Sequence, residues 1–161
     1  MFDKFISDMN EGSKFLDIEL DNDKKRKFYY FYEELIKVNQ YMNLTAITEM
    51  REVIYKHFID SLALVLEVKD LDKKGKGFKV IDVGTGAGFP GIPLAIAFPD
   101  IEFVLIDSLN KRIKFIKEAC ETLEIKNVNA IHARAEDIAR NKEYRENFDI
   151  CVSRAVANLS S

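Results

Sequence analysis

The residues of this 161-residue chain best suited to chemistry lie at Asp82-Val83-Gly84-Thr85-Gly86-Ala87-Gly88-Phe89. Glycine at alternate positions lets the backbone approach a bound molecule with no Cβ in the way. An apolar run, Phe78 to Val83, precedes the glycines and predicts a strand. The segment after them predicts a helix, whose first-turn N–H groups would point at such a ligand. Counted from Gly84, a dinucleotide turn of the form Gly-x-Gly-x-x-Gly needs glycine where Phe89 stands, so this register argues against a nicotinamide oxidoreductase. A second acid, Asp107, ends the next apolar run nineteen residues after Gly88. That is near the separation at which a carboxylate accepts hydrogen bonds from ribose hydroxyls.

The elements that must hold these residues follow from periodicity. Phe28, Phe31, Tyr32, Leu35 and Ile36 recur at helical spacing and predict a helix from Asp23 to Gln40, with N-caps offered by Asp21 to Asp23. Another helix is expected from Glu49 to Glu67, with Val53, Ile54, Phe58, Leu62, Val65 and Leu66 inward, and a weaker one from Phe2 to Leu16. Past the polar connector Lys73-Lys74-Gly75-Lys76-Gly77 the pattern alternates. Strands are expected at Phe78–Val83, Ile101–Ile106, Val128–Ile131 and Phe148–Val152. Helices are expected at Phe89–Phe98, Leu109–Leu123 and Ala135–Arg140. This alternation predicts a parallel, doubly wound α/β sheet over 78–161, preceded by a helical region over 1–77.

Composition sets limits. Apolar content of 47% and charged content of 32% suit a globular protein. No stretch is long and apolar enough to span a bilayer, and no secretion signal is visible at the N-terminus. The two cysteines, Cys120 and Cys151, form no disulfide framework, and a reduced cytoplasm is the simplest setting. No Cys-x-x-Cys or histidine cluster suggests a metal. The net charge of −3 is split evenly, with 13 basic to 15 acidic residues before Phe78 and 11 to 12 after it. Any nucleic-acid surface must therefore be a local patch, or lie in residues this chain lacks.

The pattern Asp-x-Gly-x-Gly-x-Gly is the one S-adenosylmethionine-dependent methyltransferases use. Extended to Gly84-Thr-Gly-Ala-Gly-Phe-Pro-Gly-Ile-Pro-Leu94, the sequence resembles the RsmG (GidB) family in particular. Further matches follow in the family's order: Asn43-Leu44-Thr45, His57-Phe58-Ile59-Asp60-Ser61-Leu62, Asp107-Ser108-Leu109-Asn110-Lys111-Arg112, Arg134-Ala135-Glu136 and Ser153-Arg154-Ala155.

The resemblance implies a Rossmann-like class I methyltransferase fold, here truncated at its C-terminal end, that methylates N7 of a guanine in 16S ribosomal RNA. It implies S-adenosyl-L-methionine as cofactor and the small ribosomal subunit precursor as partner. Gly84, Gly86 and Gly88 would wrap the cofactor and Phe89 close against it. Asp107 and Ser108 would lie near the ribose, Ala135 and Glu136 beside the adenine, and Arg154 at the end of the fourth strand. Lys111, Arg112 and Arg134 are candidates to meet RNA phosphate, although Lys111 and Arg112 read most simply as a solvated helix face. His57 reads as a structural residue, and Asn43 and Thr45 as a turn or cap. No catalytic side chain is assigned. Guanine N7 carries no proton, and Ser153-Arg154-Ala155-Val156 stands where amino-group methyltransferases carry Asn/Asp-Pro-Pro-Tyr. With four of seven expected strands, the chain reads as a fragment of a longer protein, or as one whose open fourth-strand edge is covered by a dimer partner. The rival readings are a non-catalytic RNA-binding or ribosome-assembly module and a nucleotide-dependent oxidoreductase.

Overall fold

Helical spacing of apolar residues shapes the first part of the molecule. The computed structural model of the chain describes residues 1–68 and 70–153. Helix α1 spans Phe2–Phe15 and α2 Asn22–Asn39, the latter capped by the Asp21 carboxylate, which accepts from the Lys24 N–H. A continuous helical rod then covers residues 50–66. It consists of α3 (Met50–Glu52), a π-helical stretch (Val53–Ile59), α4 (Asp60–Leu62) and a 3-10 turn (Ala63–Leu66). Val53, Ile54, Phe58 and Leu62 are buried as their spacing predicts. Val65 is only half-buried and Leu66 is 69% exposed. The last turn tightens to three residues per turn, which rotates these two away from the inward stripe.

The second part alternates as expected. In order come β1 (Lys79–Val83), α5 (Gly91–Ala97), β2 (Glu102–Asp107), α6 (Asn110–Thr122), β3 (Val128–His132), α7 (Ala135–Arg140), α8 (Lys142–Arg145) and β4 (Ile150–Val152). All pairings are parallel and the order is β3-β2-β1-β4. Most element ends fall within a residue of the sequence reading, with three larger differences. Helix α5 starts after Pro90, which stands at its N-cap. Helix α8 was not foreseen. The fourth strand is shorter, because Phe148 leaves the strand line to pack with Tyr144 at 6.4 Å between ring centroids.

Both faces of the sheet are covered. Ile81, Val83 and Ile106 face Ile138 of α7, with Tyr144 and Phe148 against them. Val80, Phe103, Leu105 and Ala130 face the other way, into one apolar cluster that reaches back to Phe5 of α1. Phe31 and Phe58 are its centre. Phe31 meets Phe115 of α6 at 6.0 Å, and Phe31 and Phe58 meet Phe89 beside the glycine turn, at 5.9 and 6.0 Å. Two polar devices fix the frame. The Asn127 amide donates to the carbonyls of Ala95, Phe98 and Ile101, at 3.1, 3.2 and 2.9 Å, and so ties the end of α5 to the start of β2. Lys79 and Asp149 clamp β1 to β4: the Lys79 N–H donates to Asp149 Oδ2, and the Asp149 N–H donates to the Lys79 carbonyl.

Because the chain runs β1, β2, β3 to one side and then returns to place β4 on the other, the strand order reverses beside β1. In open α/β sheets the crevice outside the carboxyl ends at that reversal is where ligands bind.

Candidate functional site

Residues 84–89 leave the carboxyl end of β1, at the reversal. Gly84, Gly86 and Gly88 take φ of +71°, +61° and +105°, left-handed values that side-chain-bearing residues adopt at a cost. The turn is held from two sides by buried carboxylates. Asp82 Oδ2 accepts from Thr85 Oγ1 at 2.7 Å and from the Gly91 N–H at 3.0 Å. Asp107, at the end of β2 and 4% exposed, accepts from the Gly86 N–H through Oδ2 at 2.8 Å and from the Leu109 N–H through Oδ1 at 2.9 Å. The Gly84 and Thr85 N–H groups both donate to the Ile106 carbonyl. Asp107 thus lies where the sequence expects an acid, already ordered by two backbone donors, and a carboxylate retains lone pairs for further hydroxyl donors.

Two expectations need correcting. The first-turn N–H groups of α5 do not face a ligand. Gly91 donates to Asp82, Ile92 to the Gly88 carbonyl and Leu94 to the Pro90 carbonyl, while Pro90 and Pro93 have no N–H. Glycine spacing alone also does not exclude a dinucleotide, since the register from Gly86 reaches glycine at Gly91. The geometry separates the two. The third glycine of this register packs on the sheet, where a Cβ would lie 2.6 Å from Leu105 Cγ, and its N–H meets the Asp82 carboxylate. A diphosphate there would find a carboxyl group and occupied donors. At Gly86, by contrast, a Cβ would meet nothing within 4 Å, so the backbone there is open to approach.

The remaining candidates lie around this edge. Ser108 is exposed, and its carbonyl accepts from His132 Nε2 at 2.9 Å. Arg134, Ala135 and Glu136 are exposed where β3 passes into α7, with Glu136 in the helix's first turn. Lys111 is exposed in the first turn of α6. Arg112 is not the solvated cation expected: it is half-buried, and its Nη1 stands 3.5 Å from Asp107 Oδ1. The Phe89 ring is 7% exposed, packed among Phe31, Phe58 and His57. Arg154 lies outside the described residues. Desolvation at the sheet edge, with the Asp82 carboxylate nearby, pushes the Cys151 thiol above its usual range, which disfavours a thiolate nucleophile there. Sequence reasoning named Asp82 only as part of the turn. Its grip on Gly91 had no sequence signal, because the turn itself creates the proximity.

A parallel sheet of this order, with a glycine turn between two strand-end acids, defines the Rossmann-like fold of S-adenosylmethionine-dependent methyltransferases. A point mutant of MtNAS solved in complex with S-adenosylmethionine shares the fold, with a TM-score of 0.51 and 17% identity over 92% of this chain and 58% of that one. The family model described as GidB, rRNA small subunit methyltransferase G, matches residues 24–161. The chain belongs to this family. It is 52% identical to the Ribosomal RNA small subunit methyltransferase G of Lachnoclostridium phytofermentans over 94% of its length, and 50% identical to that of Clostridium perfringens over the same share. It spans 61% and 62% of the length of these two curated relatives.

Proposed function

We propose that this chain carries the S-adenosyl-L-methionine site of a methyltransferase acting on N7 of a guanine in 16S ribosomal RNA. The observation that supports this most directly is the Gly84–Phe89 turn, fixed between Asp82 and Asp107 at the strand-order reversal. In this reading Gly84, Gly86 and Gly88 form the wall against the cofactor, and Phe89 anchors that wall to the core. Asp107 and Ser108 meet the ribose, Ala135 and Glu136 flank the adenine, and Arg154 serves the end of the fourth strand. Lys111 and Arg134, both exposed at the carboxyl edge, meet RNA phosphate, with Arg112 beside them through Asp107.

When bound, S-adenosyl-L-methionine supplies an electrophilic methyl group on a sulfonium. The protein's part is positioning. Guanine N7 is an unprotonated lone pair, so no side chain need act as general base, and the work is to align the base and exclude water. Positive charge moves from the sulfonium to the base, which makes nearby acceptors more useful than donors. The small ribosomal subunit precursor is the partner in this reading and the cytoplasm the compartment.

Calorimetric titration of the chain with S-adenosyl-L-methionine tests the reading, with Asp107→Ala beside it. Saturable binding weakened at least about tenfold in the variant is expected, since the acid both orders the turn and meets the ligand, each worth about a kcal/mol or more. Equal affinity in the two proteins would remove Asp107 from the site. Transfer of a labelled methyl to 16S RNA, and its absence from RNA whose guanines are replaced by 7-deazaguanine, then tests the acceptor atom.

A further inference from the structure

The helical layer reaches the glycine turn through one aromatic pair. His57 stacks on Phe89, with ring centroids 4.4 Å and planes 6° apart. His57 sits in the π-helical stretch, a widened geometry that is rare overall and frequent at functional sites. Its Nε2 shares a 2.8 Å hydrogen bond with Thr45 Oγ1. Thr45 is fixed in turn. Its Oγ1 accepts from the Ile47 N–H, and its own N–H, like that of Leu44, donates to Asn39 Oδ1. Stacking fixes the tilt and height of the Phe89 ring, and a hydrogen bond to one ring nitrogen fixes the imidazole's rotation in its own plane. Phe89 follows Gly88 directly, and its N–H closes the turn on the Thr85 carbonyl.

We propose that His57 is a positioning residue for the turn: Thr45 orients the imidazole, and the imidazole sets Phe89 and with it the backbone of Gly86 and Gly88. A residue that merely fills the core would need its volume and not its hydrogen bond. Only the binding readout below rests on the turn being the cofactor's seat.

Thr45→Val keeps the shape and removes the hydroxyl, and His57→Phe keeps the stack and removes the ring nitrogen. The measurements are the amide resonances of Gly86, Gly88 and Phe89 in the isotope-labelled chain without ligand, and the affinity of the same proteins for S-adenosylmethionine. Thr45→Val is expected to shift those amides and to weaken binding roughly tenfold, a modest share of what misplacing a bound group costs. In the His57→Phe background it should move them no further. Amides unmoved by Thr45→Val would overturn the proposal, as would equal shifts in both backgrounds, which would mean that Thr45 acts without His57. Amides that move as expected in a chain with no affinity for S-adenosylmethionine would sustain the positioning role and defeat the cofactor reading alone.

Discussion

Gly86 and Gly88 stand two positions apart with left-handed backbones, yet a side chain would meet different things at each. At Gly88 a Cβ would lie 2.5 Å from Ile92 Cδ1, whereas at Gly86 it would meet open space. Gly88→Ala therefore strains both backbone and core and should cost roughly 2–4 kcal/mol, read as a large fall in Tm. Gly86→Ala carries only the backbone penalty, about 1–2 kcal/mol. It should nonetheless weaken S-adenosylmethionine binding by more than about tenfold, because the methyl enters the ligand's side of the turn. Similar losses of Tm in the two variants, with binding intact in Gly86→Ala, would break this division of labour. The alternating glycines and Asp107 were legible from spacing. The pairing of His57 with Phe89 was not. Thirty-two positions separate them, and a histidine among apolar residues reads first as packing.

Elements were legible where one period governs a whole segment. Phe28, Phe31, Tyr32 and Leu35 predict α2 because a 3.6-residue repeat holds throughout it. The rod over residues 50–66 changes period three times, from α to π, back to α and then to 3-10, and a pattern read at one period cannot foresee that Leu66 leaves the core. Asn127 was silent for another reason: its three acceptors come from a helix end and a loop that only the finished sheet brings together. Asn127→Ala should leave the carbonyls of Ala95, Phe98 and Ile101 without this donor and destabilise the chain by roughly 2–3 kcal/mol. Hydrogen exchange should quicken first at the carboxyl end of α5. Uniform quickening over all strands would show that the amide supports the fold only globally.

At the scale of the molecule, one apolar cluster joins the helical layer to the sheet, and Cys120 of α6 is part of it. Burial pushes its thiol from an ordinary value of 9.0 up to about 12. The unfolded chain loses this proton near its ordinary pKa while the folded chain keeps it. The stabilisation is therefore fully present below about pH 9 and is lost as pH rises toward about 12. Burial raises Tyr29, Tyr32 and Tyr55 as well, which adds to the alkaline loss with the same sign. Denaturant unfolding across this range should fall less steeply with pH in Cys120→Ala than in the parent. An unchanged slope would assign the alkaline loss to the tyrosines.

The Lys79–Asp149 clamp has a bearing on the order of assembly. Each of β1, β2 and β3 finds its neighbour within a short stretch of chain, whereas β4 must return across seventy residues to reach β1. Contacts of such long range are entropically the slowest to close. On a ribosome the three early strands and their helices emerge before Ile150 exists. The crevice beside β1 is thus completed only after the other three strands have formed, and the glycine turn waits, already shaped by Asp82 and Asp107, for its second wall.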